Sequence, residues 1–272
     1  MIKRILRSVL EPFPAVTSLL RGLRDQLDQR DPPQTTPWGF SLAGNKGMAA
    51  GKFEPEETRL VRELLKEVDV LVNVGANIGY YCCHALSLGK PVVAIEPIAR
   101  NLHYLLKNIQ NNGWESQAQV FPVATGAATN ILKMWGGGTG ASMIKGWASI
   151  PESYVTQVPV LTLDRVLGNT LSGKRALILV DIEGAEFMML QGAAQTLANA
   201  SRPVWIVEIT NLENQPAGTS SNSRFIETFE IFFSRGYRAF TADGSLREIN
   251  SEIVTQIAAG KKSIGTYNFL FR

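Results

Sequence analysis

Cysteine and histidine are nearly missing from this chain: Cys82, Cys83, His84 and His103 are all that 272 residues contain. The two cysteines are adjacent on a predicted helix, where neighbouring side chains point in different directions. A disulfide framework and a cysteine-based zinc site are therefore excluded, a reducing cytosol is the expected compartment, and both thiols read as small buried apolar groups. No run of about 18 apolar residues occurs, so no segment is predicted to span a bilayer as a helix. The apolar stretch at the N-terminus is interrupted by Arg7, Glu11, Pro12 and Pro14 and lacks the continuous core of a secretion signal. Basic charge is missing from the body as well. Residues 1–30 carry six basic and three acidic residues, and the other 242 balance at 21 of each. The net charge of +3 thus belongs to a leader, and the body lacks the basic excess of a nucleic-acid-binding domain.

What is present centres on Val70-Leu71-Val72-Asn73-Val74-Gly75-Ala76-Asn77-Ile78-Gly79. The first five residues are apolar but for Asn73, the pattern of a strand buried on both faces. Gly75 permits a tight turn and a close backbone approach to a ligand, and an apolar pattern at helical spacing begins at Ile78. A second apolar strand over 92–96 ends in Glu96, 23 residues after Asn73. A strand, a small-residue turn and a helix N-terminus, with an acid closing the next strand, form the crevice in which doubly wound folds hold a ribose. The plain alternative is a ligand-free βα turn beside a solvated glutamate. The dinucleotide pattern G-x-G-x-x-G is absent: Asn77 stands where its second glycine would, and a pyrophosphate could not come as close to the backbone. That favours a nucleoside without phosphates, and S-adenosylmethionine is one.

The rest of the chain supports a mostly parallel α/β sheet. Residues 2–10 place Ile2, Ile5, Leu6, Val9 and Leu10 at helical spacing against Lys3, Arg4 and Arg7. This short basic amphipathic helix either makes weak contact with an anionic membrane surface or packs on its own domain. A second helix over 15–29 and a proline-rich linker follow, so the expected boundary separates an N-terminal segment, 1–37, from a domain, 38–272. Segment 38–51, rich in glycine and small residues, is expected to cover the site. Helices over 54–67, 78–88, 99–112, 185–198 and 224–235 alternate with strands over 70–74, 92–96, 119–123, 176–180, 204–209, 237–241 and 266–271. Between them, strands over 131–135 and 155–161 flank the glycine-rich stretch 136–142, either a lid or a plain hairpin connection.

N-V-G-A-N-I-G-Y-Y, I-E-P, L-T-L-D and V-D-I-E-G-A-E, in that order, resemble the FkbM family of S-adenosylmethionine-dependent methyltransferases. The resemblance implies a class I methyltransferase fold, a Rossmann-like seven-stranded, mostly parallel sheet with helices on both faces and an antiparallel last strand. It also implies S-adenosylmethionine as donor, S-adenosylhomocysteine as product and a small-molecule or glycan hydroxyl as acceptor, with no nucleic acid. The donor site it suggests comprises Asn73, Gly75, Ala76, Asn77, Ile78, Gly79, Glu96, Pro97, Asn101, Ala124 and Asp181. Asn101 is a donor contact or a solvent-facing residue, and Val123-Ala124-Thr125 is an adenine slot or an ordinary strand end. Two positions depart from the family pattern: Asn73 replaces the usual Asp, and Leu179 stands where Lys is frequent.

Methyl transfer from a sulfonium is an in-line displacement that positioning alone assists by on the order of 7–11 kcal/mol. An alcohol acceptor also needs a proton acceptor. Asp181, Glu183 and Glu208, at predicted strand ends, are the candidates, with Asp181 bordering the donor and Glu183 the acceptor. Glu186, and Glu183 too, has the alternative of capping the following helix, where the dipole favours an acid. Nothing in the spacing points to a metal, and the histidines fall inside helices as packing or surface residues. The competing readings are a nicotinamide-dependent oxidoreductase and a non-catalytic methyltransferase-like binding protein. Calorimetry separates them: binding heat with S-adenosylmethionine and none with NAD is expected, NAD-only binding indicates the oxidoreductase, and no donor binding near millimolar concentration indicates the non-catalytic protein.

Overall fold

The computed structural model describes residues 32–272. The helices expected over 2–10 and 15–29 lie outside the described residues. The chain continues through β1 (Gln34–Thr35), β2 (Ser41–Leu42), α1 (Lys46–Ala49), α2 (Pro55–Glu67), β3 (Val70–Val74), α3 (Tyr80–Ser87), β4 (Val92–Ile95), α4 (Ala99–Asn111) and β5 (Ala118–Phe121). A small three-stranded sheet interrupts the alternation, with β6 (Ala124–Thr125), β7 (Asn130–Trp135) and β8 (Val155–Leu161). After it come α5 (Leu163–Leu167), β9 (Ala176–Val180), α6 (Glu186–Gln191), α7 (Ala194–Leu197), β10 (Val204–Glu208), α8 (Phe225–Phe233), β11 (Ala239–Thr241), β12 (Glu248–Ile249), α9 (Ser251–Ala258) and β13 (Asn268–Phe271).

The main sheet runs β12-β11-β13-β10-β9-β3-β4-β5. Strands β10, β9, β3, β4 and β5 are mutually parallel, and β13 inserts antiparallel between β10 and β11. The seven expected strands are present with the last antiparallel, and β12 adds a short eighth at the edge beside β11. The central strands β3 and β9 are buried along their whole length, as their apolar runs require. Side-chain alternation divides the interior. Val70, Val72, Val74, Ile178 and Val180 face a core closed by α5, α6, α8 and α9. Leu71, Leu177 and Leu179 face the opposite core, closed by α2, α3 and α4.

Two local departures have physical causes. The helix expected over 185–198 breaks at Gly192-Ala193 into α6 and α7. Asp164, from the L-T-L-D stretch, captures the backbone N–H of Gln195 and Thr196 at 2.9 Å each and so starts a new helix. Helix α3 begins at Tyr80 rather than Ile78, because Gly79 is left-handed (φ 86°) and a Cβ there would lie 2.6 Å from Leu105 Cδ1. Gly79 therefore permits close packing of α3 on α4.

Segment 38–51 does not line the cleft described below. Trp38 and Phe40 lie 4.3 and 5.0 Å from the His84 ring and help bury it with Tyr80. Apolar rings gain most on an apolar helix face, which takes this segment to α3 instead.

Phe229 joins Phe225, Phe269 and Phe271 in a fully buried aromatic layer between α8 and the sheet. Phe229→Ala is expected to lower unfolding stability by about 3–5 kcal/mol, seen as a lower urea midpoint at unchanged slope.

Candidate active site

The carboxyl ends of β3 and β4 open onto a cleft with about 520 Å³ of space free of protein atoms, open solvent at its mouth included. Its floor is the bend after β3. Gly75 is left-handed (φ 83°), and a Cβ there would lie 1.8 Å from the backbone oxygen of Asp181, so only glycine fits. Asn77, also left-handed (φ 50°), donates its backbone N–H to Glu96 Oε2 at 2.8 Å. Glu96 Oε1 accepts from the Ile98 N–H at 2.7 Å. The acid at the end of β4 is thus held upright by two backbone amides and the Asn101 side chain, with acceptor capacity still to spare. Burial pushes Glu96 up to about 7 against the opposing pull of those bonds.

Four polar atoms in this lining lack any hydrogen-bond partner: Asn77 Oδ1, Asn101 Oδ1, Thr125 Oγ1 and Asp181 Oδ1. Asn101 is 3% exposed and Thr125 2%. Buried polar atoms in folded proteins are nearly always paired. Two of the four, the amide oxygens, can only accept, and the Asp181 and Thr125 oxygens can accept as well, so the lining is suited to a ligand that presents donors. The lining holds three carboxylates (Glu96, Asp181 and Glu183) and no lysine or arginine.

Glu183 is fixed from the small sheet. It is left-handed (φ 55°), its Oε2 accepts from Trp147 Nε1 at 2.7 Å, and its carbonyl accepts from Ser142 Oγ at 2.5 Å. Trp147 covers Gly184 so closely that a Cβ there would lie 2.5 Å from the indole. Gly138, Thr139, Ala141 and Met143 line the cleft too. The glycine-rich connection therefore forms one wall of the site.

Beyond Asp181 the sheet edge carries more acid. Burial, then Glu208 and Glu183, raise the Asp181 carboxyl far above the usual range. Burial, then the charges of Glu183, Glu186, Glu54 and Glu57, push Glu208 up to about 8. Glu57, from the first turn of α2, is 7% exposed and pushed up to about 8 by burial and by Glu54. Tyr81 donates its hydroxyl to Glu54 Oε2 at 3.0 Å.

A family model for the methyltransferase FkbM domain matches residues 73–239, more than half of the chain. The chain belongs to the FkbM methyltransferase family. None of the curated proteins matches it in sequence. Among solved structures it is similar to an FkbM methyltransferase from Methylobacillus flagellatus KT, at 16% identity and a TM-score of 0.45, over 94% of this chain and 60% of that one. The chain thus spans three fifths of that relative's length. It is also similar to an O-methyltransferase from Bacillus cereus in complex with SAH, at 11% identity and a TM-score of 0.44, over 83% of each chain. A third is the cofactor-bound Rv0187 from MTB, at 12% identity and a TM-score of 0.43, over 99% of this chain and 94% of that one.

In this FkbM domain, Gly75, Asn77, Glu96, Pro97, Asn101, Ala124, Asp181 and Glu183 converge on the cleft. Asn73, Ala76, Ile78 and Gly79 do not line it. Alternation along β3 turns Asn73 with Leu71 toward α3, where its Oδ1 accepts from Cys82 Sγ at 3.4 Å. Ala76 and Ile78 are packed in the same core. Glu208 stands outside the lining, in the acidic group next to Asp181. Glu186 folds back to accept from the Gly184 N–H at 3.1 Å, a turn-holding role. His84 is wholly buried beside Arg62 and pushed down to about 3 by burial and that charge, which leaves it neutral. His103 is exposed on α4. Among the described residues no helix is long and apolar enough to cross a membrane.

Sequence reasoning named Thr125 in its adenine slot, and Thr125 lines the cleft; it missed Glu54, Glu57 and Tyr81. The readable signal was Glu54-Pro55-Glu56-Glu57, which also matches the ordinary preference for acid at a helix start.

The acids give the free FkbM domain a definite pH dependence. Glu57, Glu96, Glu186 and Glu208 titrate at about 7 to 8 when folded and near 4.5 when unfolded. Between those values the folded state binds more protons, so their contribution is full below about pH 4.5 and is lost as pH rises through 7–8. The melting temperature of the free protein, followed by scanning fluorimetry, is expected to fall from pH 5 to pH 8, by roughly 1 kcal/mol or more in stability. A rise over that interval contradicts the burial of these acids.

Proposed function

We propose that this FkbM domain transfers a methyl group from S-adenosylmethionine to a hydroxyl of a small molecule or glycan. The observation that carries this reading is the set of unpartnered acceptor atoms in a carboxylate-lined cleft without a cationic side chain. S-adenosylmethionine fits it, presenting an adenine amine, two ribose hydroxyls and an ammonium as donors and a cationic sulfonium; its single carboxylate is balanced by its own ammonium, and it carries no phosphate. A dinucleotide would bring a pyrophosphate against Glu96, Asp181 and Glu183, where like charge opposes it.

In this reading Glu96 takes the ribose hydroxyls with its free lone pairs, and Asn101 and Thr125 take polar edges of the nucleoside. Ala124 and Pro97 form apolar walls, and Asp181 takes the ammonium. Asp181 thereby replaces the acid that the family usually carries at position 73. When bound, S-adenosylmethionine supplies a methyl group already activated on sulfur. The chain's own residues orient the acceptor in line, exclude water and receive its proton. Glu208 and Glu183 are the candidate proton acceptors. Burial raises both above the usual carboxylate range, Glu208 to about 8, and a base matched to the operating pH is the more effective one.

Glu96→Ala tests this directly. Loss of hydrogen bonds to a charged group costs about 1.5–3 kcal/mol, so S-adenosylhomocysteine is expected to bind roughly 10- to 100-fold more weakly by calorimetry. Unchanged affinity in a folded variant refutes the assignment.

A further inference from the structure

The sheet edge that carries the cleft holds a second cavity. It lies at the ends of β10 and β13, on the side of the sheet closed by α8 and α9, with about 810 Å³ of space free of protein atoms, open solvent at its mouth included. None of its lining residues lines the donor cleft. Ile209, Phe225, Ile257, Ile264 and Phe269, all buried, form its floor. Its wall is tied in place: Arg247 Nη2 donates to the Ile264 carbonyl at 2.6 Å, the Lys261 N–H to the Gln256 carbonyl at 2.8 Å and the Ile209 N–H to the Tyr267 carbonyl at 2.7 Å. A ligand entering a preformed wall avoids the cost of ordering a loose loop.

Three features of the lining point to what would enter. Asn211, 6% exposed, lines the cavity and donates its Nδ2 to the Ile257 carbonyl at 3.0 Å, while its Oδ1 has no hydrogen-bond partner. Turning the amide over would set that oxygen against the Ile257 carbonyl, so the side chain offers an acceptor here. Buried acceptors in folded proteins are nearly always paired. Leu212 and Tyr267 stand in the lining at 55% and 45% exposure, two of the large apolar side chains that the described residues leave in water. An apolar body seated against them removes that surface from water. Lys261 and Lys262 line the same cavity, and none of the ion pairs between described residues uses either. The one acid in the lining, Glu213, accepts from the Leu212 N–H at 3.2 Å and from the Tyr267 hydroxyl. The two ammonium groups therefore outnumber it.

We propose that this cavity binds an amphipathic organic carboxylate: an apolar body on the buried floor, a hydroxyl donating to Asn211 Oδ1 and an anionic end facing Lys261 and Lys262. A neutral sugar would leave the apolar floor uncovered, and an amine would meet two charges of its own sign. The site is separate from the donor cleft, and the inference does not depend on the methyl-transfer reading.

The test is calorimetry on the full chain at pH 7 with probes of one shape: 4-hydroxyphenylacetate, phenylacetate, 4-methylphenol and tyramine. 4-Hydroxyphenylacetate is expected to bind tightest. Phenylacetate, which lacks the hydroxyl, should bind about tenfold more weakly because Asn211 stays unpaired. 4-Methylphenol, which lacks the charge, should lose about fivefold, and tyramine, with the charge reversed, at least about tenfold. The double variant Lys261→Gln, Lys262→Gln changes only exposed side chains. It should bring 4-hydroxyphenylacetate down to the affinity of 4-methylphenol and leave 4-methylphenol within about twofold. Asn211→Ala should erase the advantage of 4-hydroxyphenylacetate over phenylacetate; if that variant does not fold, the lysine variant decides. No binding of 4-hydroxyphenylacetate near millimolar concentration, equal affinity for it and tyramine, or unchanged affinity in the lysine variant overturns the proposal. So does its displacement by S-adenosylhomocysteine, which would put the anion in the donor cleft.

Discussion

The contact between Gly75 and the backbone of Asp181 governs the site. The two central strands run parallel and in register, Val74 beside Val180, and the Asp181 N–H reaches the Val74 carbonyl at 3.0 Å. One residue later the chains diverge around a bend that leaves no room for a Cβ. That missing atom lets the cleft over β3 and β4 share a wall with the acids at the ends of β9 and β10. The cleft and the acids are neighbours because two strand ends are neighbours, and the residues between them are set by backbone geometry rather than by flexible side chains.

The arrangement concentrates carboxylates where water is scarce. Desolvation disfavours their charged forms, so they retain protons to unusually high pH. The same burial weakens the fold at alkaline pH, where these groups must ionise. The stability that offsets it comes from the two apolar cores on either face of the sheet.

The small sheet holds the Glu183 carboxylate in the wall of the cleft through Ser142 and Trp147. Its loop places Gly146, Ala148 and Ser149 in left-handed conformations, which non-glycine residues adopt at a cost of order 1–3 kcal/mol each. What holds them is the buried Trp147, wedged against Gly184 and bonded to Glu183. The loop spends local conformational energy to fix a carboxylate in the wall of the cleft, at a position that strand order alone would leave loosely defined.

The sheet, its order of strands and helices, the bend at Gly75 and the acid Glu96 were legible in sequence, because each follows from local periodicity or from a glycine that nothing else can replace. Buried strands must be apolar and helices must alternate with them, so that part of the architecture is written along the chain. The break between α6 and α7, the turning of Asn73 toward α3 and the placing of Trp38 on His84 depended on partners distant in sequence. The acidic group around Asp181 is the extreme case: Glu54 and Glu57 read as an ordinary helix start. Only the packing of α2 across the ends of β9 and β10 brings their charge to Asp181 and Glu208, since electrostatic neighbourhood is a matter of distance in space and not of spacing along the chain.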